Sequence, residues 1–136
     1  MPKVLVPLAE GFEELEAVTI IDLLRRAQVE VVTAGLQPGP VTGSRRTAIL
    51  PDTTLATQLA ERFDLIVRPG GLPGSDHLDA DARLGDLLRR HAGEGRYTAA
   101  ICAAPKVLAN AGLLDDRDAT AYPGTLVADA HPRVRV

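Results

Sequence analysis

Short β-favouring runs alternate with segments of helical periodicity along most of this chain, and that alternation narrows the fold more than any other feature. Residues 3–8 (KVLVPL), 30–34 (EVVTA), 64–68 (DLIVR) and 97–101 (YTAAI) are runs of strand length, two of them stopped at once by Gly35 and Pro69. Residues 13–27 carry Ala17, Ile20, Ile21 and Leu24 at i, i+3, i+4 and i+7, one face of a helix. Shorter helices are expected at residues 55–62, with Thr53 or Thr54 as cap, at 81–91, and between Cys102 and Gly112. Pro38-Gly39-Pro40 marks a turn, residues 41–50 a short hairpin, and residues 118–121 the start of a further strand. Strands separated by helices pair in parallel through right-handed crossovers. The expected fold class is α/β, a doubly wound parallel sheet flanked by helices. With no repeat, low-complexity tract or linker, residues 1–136 read as a single domain.

Composition removes several classes of function. A hydrophobic fraction of 46% with a net charge of -3 is that of a folded chain, and gives no electrostatic reason for nucleic acid or an anionic membrane. The arginines are scattered; pairs such as Arg89–Arg90 are too short to form a basic tract. No run approaches the roughly eighteen apolar residues of a membrane helix, and the first residues lack the apolar core of a signal peptide. One cysteine cannot form an internal disulfide, so a cytoplasmic location is expected. Aromatic content of 3% leaves little for stacking bases or sugars. His77 and His91 have no second ligand at metal spacing, and His131 reads as a surface residue; no metal and no cofactor are expected.

Ligands of such sheets bind outside the carboxyl ends of the strands. That rule gathers residues 9–16, 69–74 and 101–105 into one neighbourhood. Cys102 stands where a strand gives way to a helix. A lone cysteine is ordinarily a small buried hydrophobe, but unpaired N–H groups and the helix dipole at this place favour a thiolate and predict a lowered pKa. The position has the geometry of a nucleophile elbow without its flanking glycines. Glu13, Glu14 and Glu16 open the first helix, where acidic residues suit the dipole. Glu13 and Glu16 share a face and point towards Cys102, as first-turn carboxylates or as general acid/base. Pro69-Gly70-Gly71 is either an ordinary tight turn or a loop aiming backbone N–H groups into a pocket. It is no dinucleotide loop, because GxGxxG after the first strand is missing.

Three segments in order, LAEGFEELEAV, RPGGLPG and AAICAAPKVLANAGLL, closely resemble the DJ-1/PfpI superfamily (ThiJ/PfpI) and its DJ-1-like branch. The likeness extends to LLRRA, VVTAG, Gly43–Arg45 and the TAYP of Thr120–Pro123. It implies a flavodoxin-like fold, similar to class I glutamine amidotransferase domains. It also implies that Cys102 is the reactive cysteine and Glu16 its carboxylic acid, protonated and hydrogen-bonded to sulfur. Gly71 and Ala103 match positions whose backbone N–H groups point at the sulfur or an oxyanion, with Gly70 beside them. Arg26 and Arg45 match arginines near the site and the dimer contact. Homodimerisation is implied too, and the first helix carries Leu15, Val18 and Leu23 outside its sheet-facing stripe.

Two departures from the family stand out. Where a histidine assists the cysteine in the DJ-1 branch, this chain has Tyr122, and Ala103 replaces the adjacent histidine of the PfpI peptidases. Family members continue with a further strand and a carboxy-terminal helix. Ending at Val136, this chain is expected to be truncated, with apolar surface and an open sheet edge exposed. The implied function is that of a cysteine-dependent stress protein taking a small aldehyde or a peroxide. Glyoxalase or deglycase chemistry would pass through a Cys102 hemithioacetal; the alternative is a non-catalytic redox sensor or chaperone. A peptidase is less favoured. A glutamine amidotransferase would need glycine at Ala104 and His-x-Glu at His131-Pro132-Arg133, and a receiver domain an acidic residue near Arg68.

Overall fold

The computed structural model describes residues 1–136. Five parallel strands form the central sheet: β1 (Lys3–Leu8), β2 (Glu30–Gly35), β5 (Thr53–Thr54), β6 (Leu65–Arg68) and β7 (Tyr97–Ala100), in the order β5-β2-β1-β6-β7. A separate antiparallel pair, β3 (Val41–Thr42) and β4 (Ala48–Ile49), is the expected hairpin. The helices are α1 (Glu14–Arg26), α2 (Gly74–Ala80), α3 (Ala82–Gly93) and α4 (Pro105–Asn110). None is long and apolar enough to cross a membrane.

Alternation along the strands builds two cores. Val4, Val6, Leu8, Val31 and Val67 face α1, where Ala17 is buried and Ile20, Ile21 and Leu24 pack partly covered. Leu5, Ala34 and Ile66 point the other way, against Leu78, Leu84, Leu87, Leu88 and Val107 of the remaining helices. A strand such as β1, covered on both faces, is the mark of a doubly wound sheet. α3 opens on Asp81, whose side chain accepts from the N–H groups of Arg83 and Leu84.

The differences from the sequence reading have local causes. Residues 55–62 hold only a 3-10 turn at Leu55–Gln58; Thr54 makes no side-chain cap, and the Thr53 hydroxyl meets the Thr57 hydroxyl at 2.6 Å instead. α2 has no apolar stripe to announce it, Leu78 being its one large buried side chain. Residues 118–121 do not form a strand; Asp118 makes one isolated parallel bridge to Arg135. β7 is the outer strand of the sheet, with Tyr97 76% and the following Ile101 40% exposed.

Candidate functional site

Cys102 follows β7 after one residue, half-buried, with φ +58. A non-glycine residue in the left-handed region is held there by its surroundings. Its carbonyl accepts from the Tyr122 N–H at 2.7 Å, and Ala104 N–H closes the turn on the Ile101 carbonyl at 3.0 Å. α4 starts at Pro105, so Ala103 and Ala104 separate the sulfur from the helix proper.

Glu16 sits in the first turn of α1. Its backbone N–H donates to Glu13 Oε2 at 2.9 Å, the side-chain cap of the helix. Its Oε1 accepts from the Gly70 N–H at 2.8 Å. Gly70 is glycine because of crowding: a Cβ there would lie 2.7 Å from both Cys102 Cβ and Glu16 Oε1, and 3.0 Å from Ala103 N. One backbone position thus brings the three strand-end segments together. Gly71 (φ +98) presses on the same turn, where a Cβ would stand 2.4 Å from Glu13 N. The Glu13 N–H donates to the Gly70 carbonyl at 2.9 Å.

The electrostatics reverse one expectation. Burial first, then the hydrogen bond and charge of Glu16 and a smaller effect of Glu13, push the Cys102 thiol above its ordinary range, while the Ala103 N–H pulls it down. The lowered pKa expected from the helix dipole is absent: burial and the Glu16 carboxyl outweigh the Ala103 N–H, and α4 itself starts only at Pro105. The Gly70 N–H, expected to face an oxyanion, is engaged by Glu16. The Gly71 N–H donates to no protein acceptor, and the Ala103 N–H faces the sulfur.

The peripheral residues divide. Glu13 belongs to the site as helix cap and by its charge. Tyr122 touches it through its backbone, its side chain being 60% exposed. Arg45 lies on a loop held by Glu14, its N–H donating to that carboxylate at 2.9 Å. Arg26 does not belong: it pairs with Asp22 at 3.1 Å, and ten residues of helix put it about 15 Å along α1 from Glu16.

Glu14 is the residue whose role the sequence concealed. It receives the N–H groups of Arg45 (2.9 Å) and Thr47 (3.0 Å) and the Ser44 hydroxyl (3.4 Å). Desolvation opposes its charge, but these donors outweigh it and hold the carboxyl below its usual range. Gly43, where a Cβ would meet the Glu14 side chain at 2.4 Å, was the signal: glycine preceding polar donors invites an anion. Neighbouring first-turn carboxylates therefore diverge, Glu14 anchoring a loop and Glu16 facing the sulfur.

Residues 2–131 match the model of the DJ-1/PfpI family. The chain is 48% identical over 120 residues to protein dj-1beta of Drosophila melanogaster, covering 88% of itself and 64% of that protein. It is 32% identical over 122 residues to a deglycase of Pyrococcus horikoshii, covering 90% of itself and 73% of the relative. Among solved structures, oxidized Toxoplasma gondii DJ-1 superposes with a TM-score of 0.90 at 42% identity, over 95% of this chain and 73% of that one. The likeness runs through the segments that carry Glu16, Gly70 and Cys102, and this chain belongs to the DJ-1/PfpI family.

Proposed function

We propose that this chain is a DJ-1-like, cysteine-dependent stress protein that converts α-oxoaldehydes to hydroxy acids through Cys102, with Glu16 as its proton carrier. The observation that carries this reading is the convergence of Glu16 Oε1 and Cys102 Cβ on Gly70. Because burial and Glu16 keep the proton on sulfur, the thiol needs a base at the moment of attack, and Glu16 is that base.

The reaction follows from the groups present. The sulfur bonds to the aldehyde carbon of methylglyoxal while its proton passes to Glu16. The oxyanion faces the N–H groups of Gly71 and Ala103, then takes the proton back to give a hemithioacetal. Glu16 next removes the C–H proton, an enediol forms, and reprotonation at the neighbouring carbon leaves a thioester. Water hydrolyses it to lactate and regenerates the thiol. The relative named a deglycase supports an electrophilic-carbonyl substrate for this site.

The second reading is a redox sensor in which Cys102 is oxidised without turnover, favoured by the oxidized state of the Toxoplasma relative. A raised thiol pKa weighs against it, since peroxide reacts with the thiolate. Exposed Leu15, Val18 and Leu23 on α1 support a homodimer.

Lactate formation from methylglyoxal distinguishes these readings. Wild type should turn over slowly, Cys102→Ser not at all, and Glu16→Gln about 10²-fold or more below wild type. Undiminished turnover in Cys102→Ser would sink the mechanism. An inert wild type whose Cys102 gains oxygen mass under peroxide would establish the sensor instead.

A further inference from the structure

Arg68 ends β6 with its side chain wholly inside the protein, at 0% exposure. Nη2 donates to the Ala99 carbonyl at 2.9 Å, while Nε and Nη1 are buried without an acceptor. No carboxylate pairs with it. Burying an unpaired cation opposes folding, and a leucine or methionine would fill this space without that penalty. Burial lowers the guanidinium pKa to about 9, which leaves it charged at neutral pH.

The residue's connections explain why a charge stands there. Arg68 pairs with Ala100 in the ladder, its carbonyl accepts from the Ile101 N–H at 3.3 Å, and its guanidinium holds Ala99. It thus grips each of the three residues that precede Cys102. Pro69 and Gly70 follow it, and Gly70 abuts the Cys102 side chain. Ala99, where the guanidinium is anchored, lies three residues before Cys102, roughly 10 Å along extended backbone. Water does not reach the guanidinium, so its field is poorly screened.

We propose that Arg68 is a positioning residue for Cys102: it clamps the end of β7 and supplies from the core a fixed positive charge that favours the thiolate and the oxyanion formed from it. Glu16 removes the sulfur's proton; Arg68 lightens that task without touching substrate. The inference rests on the reading of Cys102 as the reactive group. At roughly 10 Å and an effective dielectric of about 20, such a charge changes the thiolate population roughly tenfold.

The test is iodoacetamide alkylation of the full chain against pH, followed by intact mass, with urea unfolding alongside. Arg68→Met should raise the alkylation midpoint by about one pH unit and slow labelling at neutral pH about tenfold, while resistance to urea stays equal or increases. Arg68→Gln keeps a donor for Ala99 but loses the charge; it should shift the midpoint likewise, and it decides the matter if the methionine variant does not fold. Arg68→Lys keeps the charge and should hold the wild-type midpoint within about twofold in rate. A folded glutamine variant with an unmoved midpoint overturns the proposal, as does a lysine variant that shifts as far as methionine. Because the readout is the thiol's titration, a wild type inert towards aldehydes leaves this result standing. An unmoved midpoint with turnover intact sinks Arg68 alone.

Discussion

Residues 3–112 and residues 113–136 are held together by different forces, and the candidate site depends on both. The first region has two apolar clusters, of 11 and 8 buried residues, on opposite faces of one sheet. The second has a cluster of three, Leu126 and Val134 meeting Ala109 of α4. Its other ties are backbone bonds, such as Ala119 N–H to the Arg135 carbonyl at 2.8 Å, and ion pairs of Arg133 with Asp115 and Asp116 and of Arg135 with Asp118. Those side chains are 39–82% exposed, and such pairs contribute little in water. Yet the Tyr122 N–H, from this weaker region, holds the Cys102 carbonyl. The Cys102 turn therefore has a tightly packed wall at Gly70 and a looser one at Tyr122.

The largest expected contrast is in cavity formation. Leu88, fully buried in the larger cluster, should cost about 3–5 kcal/mol of global stability as Leu88→Ala, measured by urea denaturation. Leu126→Ala should cost below about 2 kcal/mol, because its open surroundings collapse into the gap. The second variant should also speed hydrogen exchange at the amides of Ala119 and Arg135 while leaving β1 protected. Equal losses from both would make residues 113–136 part of the main cooperative unit.

One substitution at two glycines sharpens the comparison. Gly71 and Gly124 both have positive φ, but a Cβ at Gly124 meets nothing within 4 Å. Gly124→Ala should cost about 1 kcal/mol for the left-handed backbone alone. Gly71→Ala adds a collision with Glu13 N and should cost about 3 kcal/mol, with Cys102 labelling altered as well. Thermal melts with alkylation rates at one pH suffice. A mild Gly71→Ala with unchanged labelling would mean that the Glu13 turn yields easily.

The same contrast explains what could be read from the sequence. The short apolar run KVLVPL and the spacing of Ala17, Ile20, Ile21 and Leu24 announced the sheet and its first helix, because burial on both faces of a strand, or on one face of a helix, leaves its trace in the order of apolar residues. Glu16, Gly70 and Cys102 were legible as three strand ends plus a family likeness. What escaped depends on where backbone donors and charges finally lie. The thiol's shift turns on its burial and on the Glu16 carboxyl beside it, and Glu14's role on a loop about thirty residues away. Arg68 was visible as a charge in an apolar run, but its solitude shows only in three dimensions.

The smallest effect inverts the ranking of the two regions. His91 is wholly buried on α3; Nδ1 donates to the Leu87 carbonyl at 2.9 Å, and Nε2 accepts the Phe63 N–H at 3.0 Å. The Phe63 ring stacks at 5.9 Å, with Arg90, Glu94 and Arg96 as the nearby charges. Burial first, then Arg90 and Arg96, hold its pKa below the ordinary 6.5, against the Leu87 bond and Glu94. The unfolded chain thus binds the histidine proton more readily, and stability falls as pH drops below about 6.5. In residues 113–136 the Arg133 hydrogen bond keeps the Asp116 carboxyl below its ordinary 3.8, so that pair survives until more acidic pH. Between these values the better-packed region should loosen first, seen as faster exchange of the Phe63 amide while the Asp116 amide is unchanged. His91→Gln, which can still offer an acceptor to Phe63, should flatten stability between pH 6.5 and 5 relative to wild type. Parallel curves for the two proteins would take His91 out of the pH response and leave the ranking of the regions the same in acid as at neutrality.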